Sequence, residues 1–376
     1  MRIPILSTLT LLAAGLLGLA AWAEEKPAGP KLIDVAICLD TSNSMDGLIA
    51  SAKAKLWDIV NDLAKARPTP ELRVAILSYG NNRYTQESGW VRKDLDFTSD
   101  LDKVNEKLFS LTTNGGNEYV GRVTRDAMET LQWCPDPKAL KIIFVCGNEA
   151  ATQDPEIKLE PLAETAVRRG IIINTIFCGP EGHSDSQGWK RFSDLAEGRF
   201  ACINQERGAV AIASPYDKEL AQLSSEINTT FCFWGAQAKE LAANQAAQDA
   251  NAAKAGAAVA AARAESKGGR LYNFREHDLV EKCINDPKFD IKTIKDDELP
   301  DELKKMTPEE REKHIKGLVV KRAEIQKKIA ELSRKREAFV AEEMKKQNKS
   351  ADQAFDQAIR TVLREQAQKK GIDIPR

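Results

Sequence analysis

The sequence predicts an α/β fold: a doubly wound, mostly parallel sheet with helices on both faces. An all-α C-terminal extension with a heptad-like helix follows it. Three observations carry this reading. Strand-like and helix-like segments alternate from Leu32 to about Phe231, the order that builds β–α–β units. The segments "KIIFV" and "IIINTIF" are apolar on both faces, as central parallel strands covered by helices on both sides must be. After Trp234-Gly235 the composition changes, and 16 of the 29 residues from Ala236 to Ala264 are Ala, a strong intrinsic helix former.

The elements follow in order. "KLIDVAICLD" is a strand. The next helix, "GLIASAKAKLWDIVNDLAKA", sets Leu48, Ile49, Ala52, Leu56, Ile59, Val60 and Leu63 on one face. "ELRVAILSYG" is a second strand and "GWVRKDLDF" a short one. "SDLDKVNEKLFSL" is a helix with Ser99 as its expected N-cap, and "EYVGRVTRDAMETLQW" is another after the break "TTNGGN". Strand "LKIIFVCGNE", helix "EPLAETAVRRG", strand "IIINTIFCG", a short helix, strand "RFACIN" and a helix after Ser214-Pro215 complete the layer.

The expected organisation is a signal peptide at 1–23, a linker at 24–31, the α/β domain at 32–232, an Ala-rich helix at 233–269 and a helical extension at 270–376. The leader is read from Arg2, an apolar middle and Ala21-Trp22-Ala23 before Glu24, the pattern of a secretory signal. The expected location is therefore the periplasm or the medium, with no membrane span after cleavage. The Ala-rich stretch has only a weak stripe of large residues and reads as a surface or linking helix. In the extension, Thr307-Pro308-Glu309-Glu310 forms a capping-box start. Beyond it Ile315, Leu318, Arg322, Ile325, Ile329, Leu332, Arg336 and Phe339 recur at steps of three and four, a heptad seam holding two arginines. That seam suits a coiled coil with a second copy or an intrachain hairpin with the helix at 350–368.

Composition excludes several functions. The formal net charge is −1, so no global field draws the protein to nucleic acid. The seven cysteines form no CxxC pair, which argues against a zinc ribbon or a thioredoxin-type site. No G-x-S-x-G, Walker loop or HExxH occurs, so no catalytic activity is expected.

The chemistry sits in "VAICLDTSNSMDGL". An apolar strand ends at Asp40, and hydroxyls follow at Ser42 and Ser44. In open parallel sheets, ligands bind beyond the carboxyl ends of the strands, where strand order reverses. Oxygen donors with few carboxylates suit a hard divalent ion, Mg²⁺ before Mn²⁺.

Here the sequence resembles the von Willebrand factor A (vWA) family, whose metal-ion-dependent adhesion site (MIDAS) opens with Asp-x-Ser-x-Ser after the first strand. The resemblance runs from about Lys31 to Phe231. It implies a Gly-rich loop carrying a Thr and an Asp after the fourth main strand. This chain departs at both. The first loop reads Thr112-Thr113-Asn114-Gly115-Gly116-Asn117-Glu118, with Asn117 or Glu118 in place of the Thr. The second reads Cys146-Gly147-Asn148-Glu149, with Asn148 in place of the Asp. The metal residues implied are Asp40, Ser42, Ser44, Asn117, Glu118 and Asn148. The whole chain is also similar to exported bacterial vWA-domain proteins with a helical extension, through "FVCGNEAATQDP", "GWKRFSDLAEGRFACINQ" and the "TPEEREKHIKG" tail.

The resemblance implies a protein or peptide partner whose acidic group completes the metal shell. Arg83, Tyr84, Glu149, His183 and Trp189 are the expected partner rim, although Tyr84 and Trp189 could equally pack their own loops. Two other readings stay open: a metal-independent scaffold acting through its helical tail, and a hydrolase.

Overall fold

The computed structural model describes residues 31–180, 182–203, 212–346 and 355–375. The leader at 1–23, and the linker apart from Lys31, lie outside the described residues. In chain order the α/β layer comprises β1 (Leu32–Asp40), α1 (Asp46–Ala64), β2 (Glu71–Tyr79), β3 (Val91–Thr98), α2 (Leu101–Ser110) and α3 (Val120–Thr130). It continues with β4 (Leu140–Gly147), α4 (Leu159–Arg168), β5 (Ile171–Phe177), α5 (Ser186–Leu195), β6 (Phe200–Cys202) and α6 (Asp217–Asn228). The sheet order is β3-β2-β1-β4-β5-β6. Among the described strands of this sheet only β3 runs antiparallel to its neighbour.

Side chains alternate between two cores, as the pleat requires. Ile33, Val35 and Leu39 of β1 and Ile142, Phe144 and Cys146 of β4 join the core under α1 and α2. Ala36, Cys38, Ile143 and Val145 join the core under α3, α4 and α5. The chain leaves β1 toward β2 on one side, while β4 adds on the other. That reversal is the switch point where a crevice is expected, and Asp40 stands at its end.

The extension comprises α7 (Ala238–Ala255), α8 (Ala257–Gly268), α9 (Leu279–Asn285), α10 (Asp301–Lys304), α11 (Pro308–Lys346) and α12 (Phe355–Lys369). The Ala-rich stretch is not one surface helix. It breaks at Gly256, where φ is +124°, and α8 is a packed element with Ala261, Ala262, Arg263, Ala264 and Lys267 buried. Small side chains let helices approach closely, so its packing face has no large-residue stripe to reveal it. Arg263 clamps α8 down. Its guanidinium meets Asp102 Oδ1 at 2.7 Å and Asp249 Oδ1 at 2.5 Å, above the ring of Trp57.

The capping box forms: Thr307 N donates to Glu310 Oε2 at 2.8 Å, and Glu310 N to Thr307 Oγ1 at 3.3 Å. The seam of α11 is used inside the chain: Ile315 and Leu318 pack with Leu279, Val280 and Leu303, and Ile325, Ile329 and Leu332 pack with Leu220, Leu223, Ile227 and Ala261. Both seam arginines have partners in the same chain. Arg322 binds Asp278 Oδ2 at 2.6 Å with its face over Phe231, and Arg336 binds Asp217 Oδ1 at 2.9 Å. Helix α12 instead returns to α1 and the sheet. Gln366 and Asn174 exchange side-chain amide hydrogen bonds at 2.7 and 3.1 Å. The N-cap of α2 is Asp100, whose carboxylate accepts from Asp102 N and Lys103 N, and not Ser99.

Replacing Arg263 by Ala leaves buried Asp102 with Tyr272 Oη but no cation, while Asp249 keeps Lys267 at 2.9 Å. Such breaks of buried pairs cost about 3–5 kcal/mol. Urea denaturation of Arg263→Ala is expected to show a loss of that size; a change no larger than that of an exposed-lysine control would refute the clamp.

Candidate metal centre

Asp40 ends β1 fully buried. Its Oδ1 accepts from Ser42 N at 2.7 Å, a local turn that Asp forms readily. The turn brings Ser42 Oγ and Ser44 Oγ to 3.2 Å. Thr41 between them is tied elsewhere: its N and Oγ1 both donate to Tyr79 O, at 2.8 and 2.9 Å.

The loop after β2 is held close to this turn. Gly80 has φ +74°, and a Cβ there would lie 2.7 Å from Asp40 Oδ1 and 3.0 Å from Glu118 Cγ. Gly suits both the backbone conformation and the space. A Cβ on Gly116 would meet Gly80 C and O and Asn81 N at 2.9 Å, so the Gly-rich loop crosses the β2 loop backbone to backbone. Hydrogen bonds stitch the crossing: Asn114 N to Thr41 O at 2.9 Å, Asn82 N to Gly115 O at 2.8 Å, and Asn81 Nδ2 to Thr112 O at 2.9 Å. The loop delivers Glu118 beside Asp40 as α3 begins. The β4 loop closes the third side. A Cβ on Gly147 would lie 3.2 Å from Asp40 Oδ2, and Asn148 Nδ2 donates to Ser44 Oγ at 3.0 Å.

Burial raises the Asp40 pKa well above the usual carboxylate value, and the neighbouring Glu118 raises it further. Burial also raises that of Glu118, against the lowering effect of hydrogen bonds to Asp40 and Ser42. The two side chains are neighbours across Gly80. Asp40 Oδ2, Glu118 Oε2 and Asn148 Oδ1 are buried with no hydrogen-bond partner, whereas buried polar atoms are almost always paired. These orphaned oxygens come from three loops and surround two hydroxyls. That donor set fits a hard divalent cation such as Mg²⁺ or Mn²⁺. Among the described residues no three His, Cys, Asp or Glu side chains form a metal cluster; the set here is two carboxylates, two hydroxyls and an amide.

The structure brings together Asp40, Ser42, Ser44, Glu118 and Asn148. Asn117 is exposed and donates to Tyr119 Oη at 3.4 Å instead, because consecutive residues of the extended loop point in different directions. Arg83 is exposed and donates to Thr112 Oγ1 at 3.1 Å. Glu149 is exposed at the mouth, and His183 is exposed and stacks on Phe177. Two expected rim residues pack their loops. Trp189 is 1% exposed and donates to Glu149 O at 2.7 Å. Tyr84 shares a 2.7 Å hydrogen bond with Ser78 Oγ beneath Arg92.

Sequence reasoning missed Gly80 and Asn81, although "SYGNN" directly after a strand is a turn signal. It also missed a brace below Glu118. Arg122 forms a two-point pair with Asp154 at 3.0 Å, lies over the Tyr119 ring, and Tyr119 meets Trp90 edge-on.

The loops that the vWA resemblance gathers around one ion converge here, at the switch point of a sheet with a single antiparallel edge strand. The strand order, the single antiparallel edge strand and the helices on both faces are those of the vWA-type fold that the sequence resemblance implies. No family model and no curated protein matches it. Solved structures similar to it include proximal thread matrix protein 1 from the mussel byssus with a zinc-occupied MIDAS motif, at 14% identity over 47% of this chain and 43% of that one, TM-score 0.38. The SpRpn10 VWA domain is similar at 19% identity over 46% of this chain and 88% of that one, TM-score 0.36. The pilus adhesin SpaC from Lactobacillus rhamnosus GG is similar at 11% identity over 47% of this chain and 28% of that one, TM-score 0.37. This chain therefore spans less than half the length of the byssus protein.

A carboxyl with a raised pKa in the folded state keeps a proton that the unfolded chain releases. Stability then falls as pH rises from the unfolded value, about 4, toward the folded one. Asp40→Asn keeps the acceptor for Ser42 N and removes the repulsion with Glu118. In EDTA, thermal unfolding between pH 4 and 8 is expected to show the variant gaining on wild type as pH rises. Parallel curves would contradict a charged pair at this position.

Proposed function

We propose that this protein is an exported binding protein whose vWA-type site holds a divalent cation, Mg²⁺ or Mn²⁺, and presents it to a protein or peptide partner. The observation that carries this reading is the set of three unpaired buried oxygens, one from each of three loops, around the Asp40 turn. Asp40, Glu118 and Asn148 would hold the ion directly, with Ser42 and Ser44 beside them. The ion would supply the positive charge that two adjacent buried carboxylates lack.

The chain's own residues shape the surface around it. Asp40 is sealed from solvent by Gly80 and Gly147, while Asn43, Ser44, Asn82, Arg83 and Glu149 are exposed. A partner therefore meets a polar rim above a buried anionic floor. The reading is one of binding, with no bond made or broken. Export rests on the leader pattern at 1–23; among the described residues no helix is long and apolar enough to cross a membrane.

One observation favours the metal-independent alternative. Asn148 already donates to Ser44 Oγ, which closes part of the shell by hydrogen bonding alone. In that reading the site is a self-contained loop clasp, and the helical tail is the interaction surface.

Calorimetry and thermal shift separate the two. A ligand that binds only the folded state stabilises it by about 2.7 kcal/mol at a hundredfold excess over Kd. Mg²⁺ or Mn²⁺ is expected to raise the Tm of wild type by several degrees, to do nothing for Asp40→Ala, and to do less for Ser42→Ala. No metal-dependent shift in wild type would favour the loop clasp.

A further inference from the structure

We infer that Glu118 supplies from within this chain the second negative charge of the metal site, so that the site admits a neutral oxygen donor and excludes acidic ones. This rests on the metal reading above and departs from the acidic partner that the resemblance implies.

The first ground is charge. The grouped side chains carry two carboxylates, Asp40 and Glu118, while Ser42, Ser44 and Asn148 are neutral. Two negative charges balance one divalent cation. A third carboxylate arriving from a partner would make the assembly net negative, in a place where Asp40 is fully buried and Glu118 is 9% exposed. Like charges meeting at an interface cost several kcal/mol and are a common means of rejecting wrong partners. Exposed Glu149, next to Asn148, adds to the repulsion.

The second ground is fixation. Glu118 is not a mobile surface acid that could swing aside. Its Cγ lies against Gly80, and the loop before it crosses the β2 loop backbone to backbone. The residue after it, Tyr119, packs under Arg122 and against Trp90. Arg122 is locked by Asp154, which is 2% exposed. Within this frame Glu118 Oε2 is buried and unpaired. A side chain held this way keeps its place, and an incoming acid would have to displace it together with its supports.

The ligand left for a partner is then a neutral oxygen, from a carbonyl, amide or hydroxyl.

The test uses Mn²⁺ as the metal, with acetate and acetamide as small acidic and neutral oxygen probes. Mn²⁺ affinity is measured by calorimetry and by the paramagnetic signal of free Mn²⁺, for wild type, Glu118→Gln, Glu118→Thr and Asp40→Asn. Glu118→Gln is nearly isosteric and guards against loss of folding; thermal unfolding in EDTA checks every variant. Wild type is expected to bind Mn²⁺ with no gain from acetate. Both Glu118 variants are expected to bind at least about tenfold more weakly and to recover affinity when acetate, but not acetamide, is added. Acetate strengthening Mn²⁺ binding in wild type, or Glu118→Gln binding as tightly as wild type, would overturn the inference. Asp40→Asn separates this from failure of the metal reading: if it binds Mn²⁺ as well as wild type does, the ion is not held at this site at all.

Discussion

Two carboxylates buried side by side constrain everything around them. Asp40 ends the central strand with no exposed surface, and Glu118 approaches it from a loop more than seventy positions along the chain. Both are buried, and each keeps one oxygen without a hydrogen-bond partner. Such an arrangement persists only where the surrounding structure imposes it or a cation relieves it. The scaffold therefore has to be stiff, and most of the neighbouring sequence makes sense as a source of that stiffness.

The stiffness comes from close approach. Gly80, Gly116 and Gly147 leave no room for a Cβ, so three loops touch through backbone and not through adjustable side chains. Tyr79 is buried below them and donates from Oη to Cys146 O at 2.9 Å, tying the end of β2 to the end of β4 across β1. Trp189 fixes the β4 loop by its bond to Glu149 O. The crevice at the sheet's switch point is thus walled by parts of the chain with little freedom to collapse onto the unpaired oxygens.

Local patterns made part of this legible in the sequence. The strand-turn-helix around Asp40-x-Ser42-x-Ser44 needs only neighbouring residues to form, and so it could be read directly. Asn148 was legible for the same reason, because it follows a strand end. Choosing between Asn117 and Glu118 was not, since an irregular loop has no period to say which side chain turns inward. Trp189 sits in a polar stretch, and only its distant partner at Glu149 O explains its burial. The packing of α8 was hidden because alanines make a face without large residues. Arg322 and Arg336 looked like defects in a heptad seam, and they became intelligible only with Asp278 and Asp217 beside them.

The helical extension bears on where a partner can reach. One hydrophobic core runs from Ile33 and Leu56 through Val259 and Tyr272 to Val362 and Ile374, so α7, α8 and α12 complete the α/β layer instead of hanging from it. Buried ion pairs such as Arg263 with Asp102 add little net stability over apolar packing, but they reject any arrangement that leaves a charge unpaired. They therefore fix how the extension docks. Its apolar seam is covered by α9, α6 and α8, which leaves that seam little to offer a second copy. The carboxyl edge of the sheet, by contrast, keeps Asn43, Ser44, Asn82, Arg83 and Glu149 in solvent around two buried carboxyl groups that each have an unpaired oxygen. Of the two surfaces, the edge is the one with unsatisfied chemistry.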